Sequence, residues 1–493
     1  MIRRTTQAAA LLIAVVIGEL SSAGPIHAQM VPERSRFEGV AVRAEQPVQR
    51  GIHLSATDFD FVSPSDESPE PRGMFDGPVT LESLIGHALA NNPEIQAARF
   101  HARSLGARVP QAKSLPDPQL MATAFLEEIQ TAAGPQQAAV SLSQKFPWFG
   151  KRTLRSQVAH FDSVAAYARV AAVELKVIEG VKRAYYDLYF VQSAVEENRR
   201  LMKPLEDVIA VAKSKYETST GEMGMQDVLQ AQVELSQLKI NLIALDEGKR
   251  QAQARLAGLL HLPPRTRPEA SNSVFRSELD RSVETLVALA DVCQPEFVAF
   301  RRELARDQSA VEVARRDYWP DVTMGLNWYE IGDRGLSPVA NGRDALSLGV
   351  GVNLPIYRSR LDGAVNEAQY KQCATARRYA AVRDQFQIEI ETLYAQFREH
   401  HQTLRILTSE VMPRAEEALK LTTESYRAGR ADFEQLMDVY RTLLRYRIEL
   451  HRHVALREQA IASLERAVGT AVTTPVQDGS NPAIESLHLP SSR

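Results

Sequence analysis

Apolar positions in this chain follow two different periods, laid down in long alternating blocks. Val228, Ala231, Leu235, Leu238 and Leu242 stand three and four residues apart, and so do Leu436, Val439, Leu443, Tyr446 and Leu450. The two sets are offset by 208 residues. A 3-4 spacing is a coiled-coil seam, so it predicts two long helices that each pack along a stripe. Elsewhere the period falls to two. Val322, Met324, Leu326 and Trp328 alternate with Thr323, Gly325, Asn327 and Tyr329, and Leu346, Leu348, Val350, Val352 and Leu354 alternate with Ser347, Gly349, Gly351 and Asn353. This predicts strands over about 319–330 and 344–356, apolar on one face and small or polar on the other. A weaker alternation predicts two more over about 118–126 and 138–147, with a polar loop between them.

The punctuation recurs at the same offset, which makes the chain an internal repeat. Pro147 pairs with Pro355 at the ends of strand-like runs, and Gly221 pairs with Gly429, each following a tyrosine, Tyr216 or Tyr426. Pro204 and Pro413 fall inside helical stretches, where a proline should kink the helix. The first repeat spans 79–281 and the second 282–471. In each, a strand pair leads into a helical stretch of roughly 70 residues, about 100 Å if continuous, over 151–219 and 358–427. Gly221 and Gly429 then reverse the chain into the helices that carry the heptads. Before the first repeat, Thr80 reads as an N-cap and Pro93 as the opening of a second short helix.

The termini add a destination. Arg3 and Arg4 precede an apolar run from Ala8 to Ile17, and small residues lead to Ile26-His27-Ala28. Residues 1–28 thus have the layout of a cleaved export signal, the run being too short to span a bilayer. Residues 29–78, rich in proline and acidic side chains, read as a disordered extension, and 472–493 as a tail. Net charge is −3, which gives no electrostatic case for a nucleic-acid partner.

Candidate chemistry is sparse. The chain lacks a phosphate-cradling glycine loop, HExxH and GxSxG, so nothing points to an enzyme or a cofactor. Cys293 and Cys373 stand alone and read as small buried side chains. His400-His401 and His451/His453 have the wrong spacing for a metal pair on one helix face, so no metal site is expected.

Period-two strands behind an export signal fit an outer-membrane barrel, but four strands cannot close one, since the smallest have about eight. An open edge does not persist in lipid. Several chains must therefore pool their strands, and the long helices must pack laterally into a tube. The alternative is a soluble periplasmic coiled-coil adaptor, which would have no use for strands with continuous apolar faces.

The order of elements resembles the TolC family of outer-membrane efflux proteins. The carrying stretches are Leu81-Glu82 with Ala88-Leu89-Ala90-Asn91-Asn92-Pro93-Glu94-Ile95, the junction Phe146-Pro147-Trp148-Phe149-Gly150-Lys151-Arg152, and the two Tyr–Gly turns, over about 79–470. The resemblance implies a mainly α fold with a small β part: a homotrimer whose 12-stranded barrel, four strands per chain, continues into a long periplasmic α-helical barrel. It implies outer-membrane lipid, a periplasmic membrane-fusion adaptor and an inner-membrane RND pump as partners, and a passive duct that catalyses nothing. By the same resemblance Gly221 and Gly429 form the periplasmic tip, Pro147, Gly150 and Pro355 mark strand-to-helix junctions, and Asp227, Tyr426, Arg430 and Asp438 tune a gate. Two positions depart from the family pattern: Ala431 stands where a basic residue is common, and Gln435 where a second carboxylate is. The Pro-Trp-Phe-Gly-Lys junction and the acidic extension look most like the heavy-metal branch, the channels paired with cobalt–zinc–cadmium or copper pumps. Multidrug and type I secretion outlets share the fold.

Overall fold

The computed structural model describes residue 75 and residues 77–218, 223–263, 265–271 and 278–473. The segment expected to be an export signal, nearly all of the expected extension and tail, and Gly221 lie outside the described residues.

The described chain opens with β1 (Gly77–Val79) and three short helices, α1 (Leu81–Asn91), α2 (Pro93–Gly106) and α3 (Arg108–Lys113). Their starts follow from capping chemistry. The Thr80 hydroxyl accepts from the Ser83 N–H, and the Asn92 side chain accepts from the N–H groups of Glu94 and Ile95 just ahead of Pro93. The hairpin β2 (Gln119–Thr131) and β3 (Gly134–Phe146) follows, then α4 (Lys151–Thr218) and α5 (Met223–Leu259). β4 (Pro268–Ala270) closes the first repeat by pairing in parallel with β1.

The second repeat rebuilds the same order with α6 (Val283–Cys293), α7 (Pro295–Arg316), β5 (Val322–Ile331), β6 (Ala345–Val352), α8 (Arg358–Ile406), a π turn over Leu407–Val411, α9 (Met412–Arg427) and α10 (Phe433–Val468). Ser282 and Gln294 take the capping places of Thr80 and Asn92. Both descending helices are as long as the spacing predicts; α4 alone, at 68 residues, reaches about 100 Å.

Several local expectations need correction. The extension was expected to reach residue 78, but 77–79 form β1; its partner at 268–270 is remote in sequence, so no local pattern announces it. The polar loop expected after residue 126 does not exist. β2 continues to Thr131 and meets β3 through a two-residue turn, because a register shift between Ala124 and Ile129 interrupts the period of two without ending the strand. The strands begin and end at 119–131, 134–146, 322–331 and 345–352 rather than at the expected limits. The two prolines also behave differently. α4 runs on through Pro204, whereas Pro413, whose missing N–H leaves a gap in the helical ladder, is the second residue after the π turn. Cys293 is half-buried and Cys373 exposed, so the second is not a core residue.

The helical core is continuous between repeats. Leu201 and Leu205 of α4, Ala231 and Leu238 of α5, Tyr426 of α9 and Phe433, Leu436 and Met437 of α10 form one apolar cluster. Both predicted seams therefore contribute to it or to its margin. Higher up, ion pairs tie α4 to α10 and α7 of the second repeat: Lys182 to Glu465 at 2.5 Å, Arg466 to Glu179 at 2.6 Å, and Asp162 to Arg306 at 3.0 Å.

Candidate functional site

The candidate functional surfaces among the described residues are a sheet, a junction and a helix-hairpin end, the expected tip. The sheet is four-stranded and antiparallel in the order β2-β3-β5-β6, with β2 and β6 as open edges. Its register sorts residue types by face. Leu120 lies opposite Leu142, Leu142 opposite Leu326, and Leu326 opposite Leu348. A parallel row runs Ala122, Val140, Trp328, Leu346. The opposite face carries Met121, Ser141, Asn327, Ser347 in one row and Ser143, Gly325, Gly349 in another. The apolar rows are uncovered: Leu120, Leu348 and Val350 are 65%, 74% and 64% exposed. An uncovered apolar sheet face backed by a small and polar one is what a lipid-facing barrel wall requires. No helix among the described residues is long and apolar enough to cross a membrane.

Aromatic residues bracket this face. Trp328 and Tyr329 lie near the loop end of β5, while Phe149, Trp319 and Tyr357 are exposed at the helical end. The loop joining β5 to β6 folds back over the β2–β3 turn: the N–H groups of Gly332, Ser337 and Gly342 donate to the carbonyls of Pro135, Ala132 and Ala133. A Cβ at Gly335 would collide with the Ala133 backbone at 2.4 Å, so only glycine permits that approach.

At the helical end, Pro147 and Pro355 each stand between a strand and a long helix. Gly150 turns the first junction with φ +83°, which frees the Lys151 N–H to donate to Trp148 O at 3.1 Å and start α4. The residue that organises this corner, Asp321, lies in the other repeat and was not anticipated. One of its carboxylate oxygens accepts from the Trp148 N–H at 3.0 Å and from Lys151 Nζ at 2.8 Å, and the other pairs with Lys145 at 3.2 Å. Lys151 is buried and also donates to the Trp319 carbonyl at 3.0 Å. The Trp148 and Trp319 rings stack at 5.2 Å. This knot ties the end of the sheet to the start of α4. Stripping one partner from such a buried pair costs about 3–5 kcal/mol, because the other charge stays behind. The sequence signal was present in Trp319-Pro320-Asp321, which precedes β5 directly, but pairing it with Lys151 needs the fold.

At the tip, α9 ends in a Schellman turn. Gly429 sits at φ +71°, the Arg430 N–H donates to Ser425 O at 2.8 Å, and the Gly429 N–H donates to Tyr426 O at 3.0 Å. Of the four expected gate residues, the fold brings two together. Tyr426 is buried, packs edge-on against Phe433, and is pushed up to about 12 by burial and then by the charge and hydrogen bond of the Asp227 carboxylate. Asp227 and Tyr426 belong to different repeats, so they link the two hairpins. Asp438 lies apart and exposed; Arg441 pairs with it at 2.9 Å and reaches across to Glu234 on α5. Arg430 is exposed on the turn. Arg441 and Glu234 were missed by sequence reasoning, since each is one charge among many on a helix face. A small open cavity beneath Tyr426 is lined by Asp207, Leu419, Thr423 and Tyr440.

Above the tip, Glu197 of α4 is buried beside two arginines and a histidine. Arg200 lies at 3.1 Å, Arg447 at 3.3 Å and His451 at 3.9 Å, while Arg447 also pairs with Glu416 of α9 at 2.9 Å. Burial alone would raise the Glu197 carboxyl. Hydrogen bonding to His451 and the charges of Arg200 and Arg447 outweigh it and hold the group below the usual carboxylate range. No group of three or more His, Cys, Asp and Glu placed to enclose a metal ion occurs among the described residues.

Known proteins share this architecture. The cobalt-zinc-cadmium resistance protein CzcC of Cupriavidus metallidurans is 24% identical over 413 residues, 80% of this chain and 90% of that protein. Nodulation protein T of Rhizobium leguminosarum bv. trifolii is 24% identical over 422 residues, 81% of this chain and 87% of that one. Among solved structures, the outer membrane protein VceC of Vibrio cholerae matches with TM-score 0.64 at 20% identity, covering 80% of this chain and 96% of that one. CusC matches with TM-score 0.65 at 16% identity, covering 79% and 92%. These likenesses establish the mainly α fold with its small β part. The family model described as outer membrane efflux protein matches residues 84–260 and 286–470, both repeats and most of the chain. The chain belongs to the outer membrane efflux protein family.

Proposed function

We propose that this efflux protein is the outer-membrane duct of a tripartite RND-type exporter, built from three copies, and that its cargo is heavy-metal cations. The observation that carries the duct is the four-stranded sheet with two open edges and an uncovered apolar face, joined through short junctions to descending helices, the first of them about 100 Å long. Three such sheets give the strand count that a membrane barrel needs, and closure satisfies both edges. The helices then pool into a periplasmic tube. Its lower end, at the Gly429 turn, meets a membrane-fusion adaptor and, through it, an inner-membrane pump that supplies the energy. The duct itself catalyses nothing.

Within this reading Asp227, Tyr426, Arg430 and Asp438 regulate the tip. The buried Tyr426 beside Asp227 supports a latch between hairpins, and Asp438 with Arg441 and Glu234 supports a second. Exposed pairs of the second kind are worth only about 0–1 kcal/mol each, but a threefold ring repeats every one of them.

The cargo rests on the likeness to CzcC, whose name states cobalt, zinc and cadmium resistance. The equal identity to nodulation protein T supports a second reading, an outlet for a different class of exported molecule. Growth of a strain lacking this gene separates the two. It is scored against dose series of zinc, cobalt, cadmium, copper and silver beside hydrophobic drugs, dyes and bile salts. Sensitivity confined to the metals is expected. Sensitivity confined to the organic compounds, or to none of these agents, would overturn the cargo assignment while leaving the fold untouched.

A further inference from the structure

His400 and His453 were set aside because neither has a partner three or four residues away on its own helix. The fold supplies the partner from another helix. His400 of α8 and His453 of α10 approach with their Nδ1 atoms 3.3 Å apart and their ring centroids 5.3 Å apart, the rings tilted by 57°. Both side chains are half-buried, so each ring is fixed by packing and yet reachable from solvent.

The geometry points to an unassigned bis-histidine site for a borderline transition-metal cation such as Zn²⁺, clasping α8 to α10. Three features of the pair carry this. Ligand nitrogens lie about 2.0–2.1 Å from a tetrahedral zinc, so two neighbouring ones are about 3.3–3.4 Å apart. The observed separation is that edge length. The centroid separation is less than a head-on contact would give, so the rings tilt off the line joining the nitrogens, as two ligands sharing one ion must. Third, the far nitrogen of His453, Nε2, lies 3.9 Å from the Glu449 carboxylate on the same helix, beyond a direct hydrogen bond but within its field. A carboxylate behind a ligand histidine favours the tautomer that leaves Nδ1 free to bind.

The other ionisable neighbours do not complete a cage. Glu399 precedes His400 on the outside of α8, and His401 turns away to pack on the Phe397 ring at 5.6 Å. With two protein ligands and the remaining positions open to water, binding is exchangeable rather than structural. Oxygen-seeking Mg²⁺ and Ca²⁺ are excluded by the nitrogen donors. The inference concerns the tube wall and does not depend on the cargo reading.

The alternative is a plain hydrogen bond between two neutral imidazoles. Zn²⁺ and diethyl pyrocarbonate together distinguish them on the purified full-length protein in detergent, with carbethoxylation of each histidine followed by peptide mass spectrometry. Added Zn²⁺ should slow modification of His400 and His453 severalfold, leave exposed His101 and His160 unchanged, and be ineffective when replaced by Mg²⁺. His453→Gln should abolish the protection of His400. Unchanged rates at the pair, equal protection of all four histidines, the same protection by Mg²⁺, or protection surviving His453→Gln would each overturn the site. The wild-type measurement stands on its own if the variant fails to assemble.

Discussion

At the scale of single residues, two corners join the repeats by buried polar contacts. At the junction a buried lysine and an aspartate from opposite repeats meet under a stacked pair of tryptophans. At the tip a buried tyrosine meets an aspartate, again from opposite repeats. The Tyr426 hydroxyl, at about 12, stays neutral through the physiological range, so it acts as a donor and never as a charge. A hydrogen bond to a charged group contributes about 1.5–3 kcal/mol, and three copies would multiply the bias toward a closed tip. Asp227→Asn should therefore raise open probability and mean single-channel conductance in planar bilayers, with Tyr426→Phe acting in the same direction. Conductance unchanged in both variants would remove this pair from the gate.

At the scale of elements, the helices hold together by two kinds of contact with different pH responses. The apolar seams do not titrate. The Glu197 cluster, which ties α4 to α9 and α10 through Arg447, does. A carboxylate held below its ordinary value stabilises the fold fully above its unfolded value of about 4.3. That stabilisation is lost as pH falls through the lower folded value. Thermal unfolding of the purified protein between pH 7 and pH 3 should show a falling acid limb. Glu197→Gln should lower the midpoint at pH 7 and flatten that limb. A variant as stable as wild type at pH 7, with the same acid limb, would contradict the assignment.

Elements were also where the sequence was most readable. Leu436 and Leu443 announce their helix by a spacing that survives any neighbour, and Leu326 and Leu348 announce theirs by strict alternation. Gly429 and the capping residues Thr80 and Asn92 mark boundaries through local chemistry alone. What stayed hidden depends on partners far along the chain. β1 has its mate near residue 268, Lys151 finds Asp321, Arg441 finds Glu234, and His400 finds His453. The bulge in β2 disguised a strand as a loop for the related reason that pairing, not pattern, kept it extended.

At the scale of the molecule, one chain is an incomplete object. Its sheet ends in two unpaired strands and turns a row of leucines outward, and its longest helices outrun any single globule. Lipid removes the penalty on the leucines but raises that on the open edges, so only the pairing of β6 of one copy with β2 of the next satisfies both. The central claim is therefore a closed ring of three. Single cysteines placed along β2 and along β6, in a background where Cys293 and Cys373 are replaced by serine, test it directly when oxidised in isolated outer membranes. The account predicts cross-links between copies, in a ladder that stops at three. Chains that never cross-link, a ladder that runs past three without limit, or protein released by osmotic shock and absent from the outer membrane would contradict it.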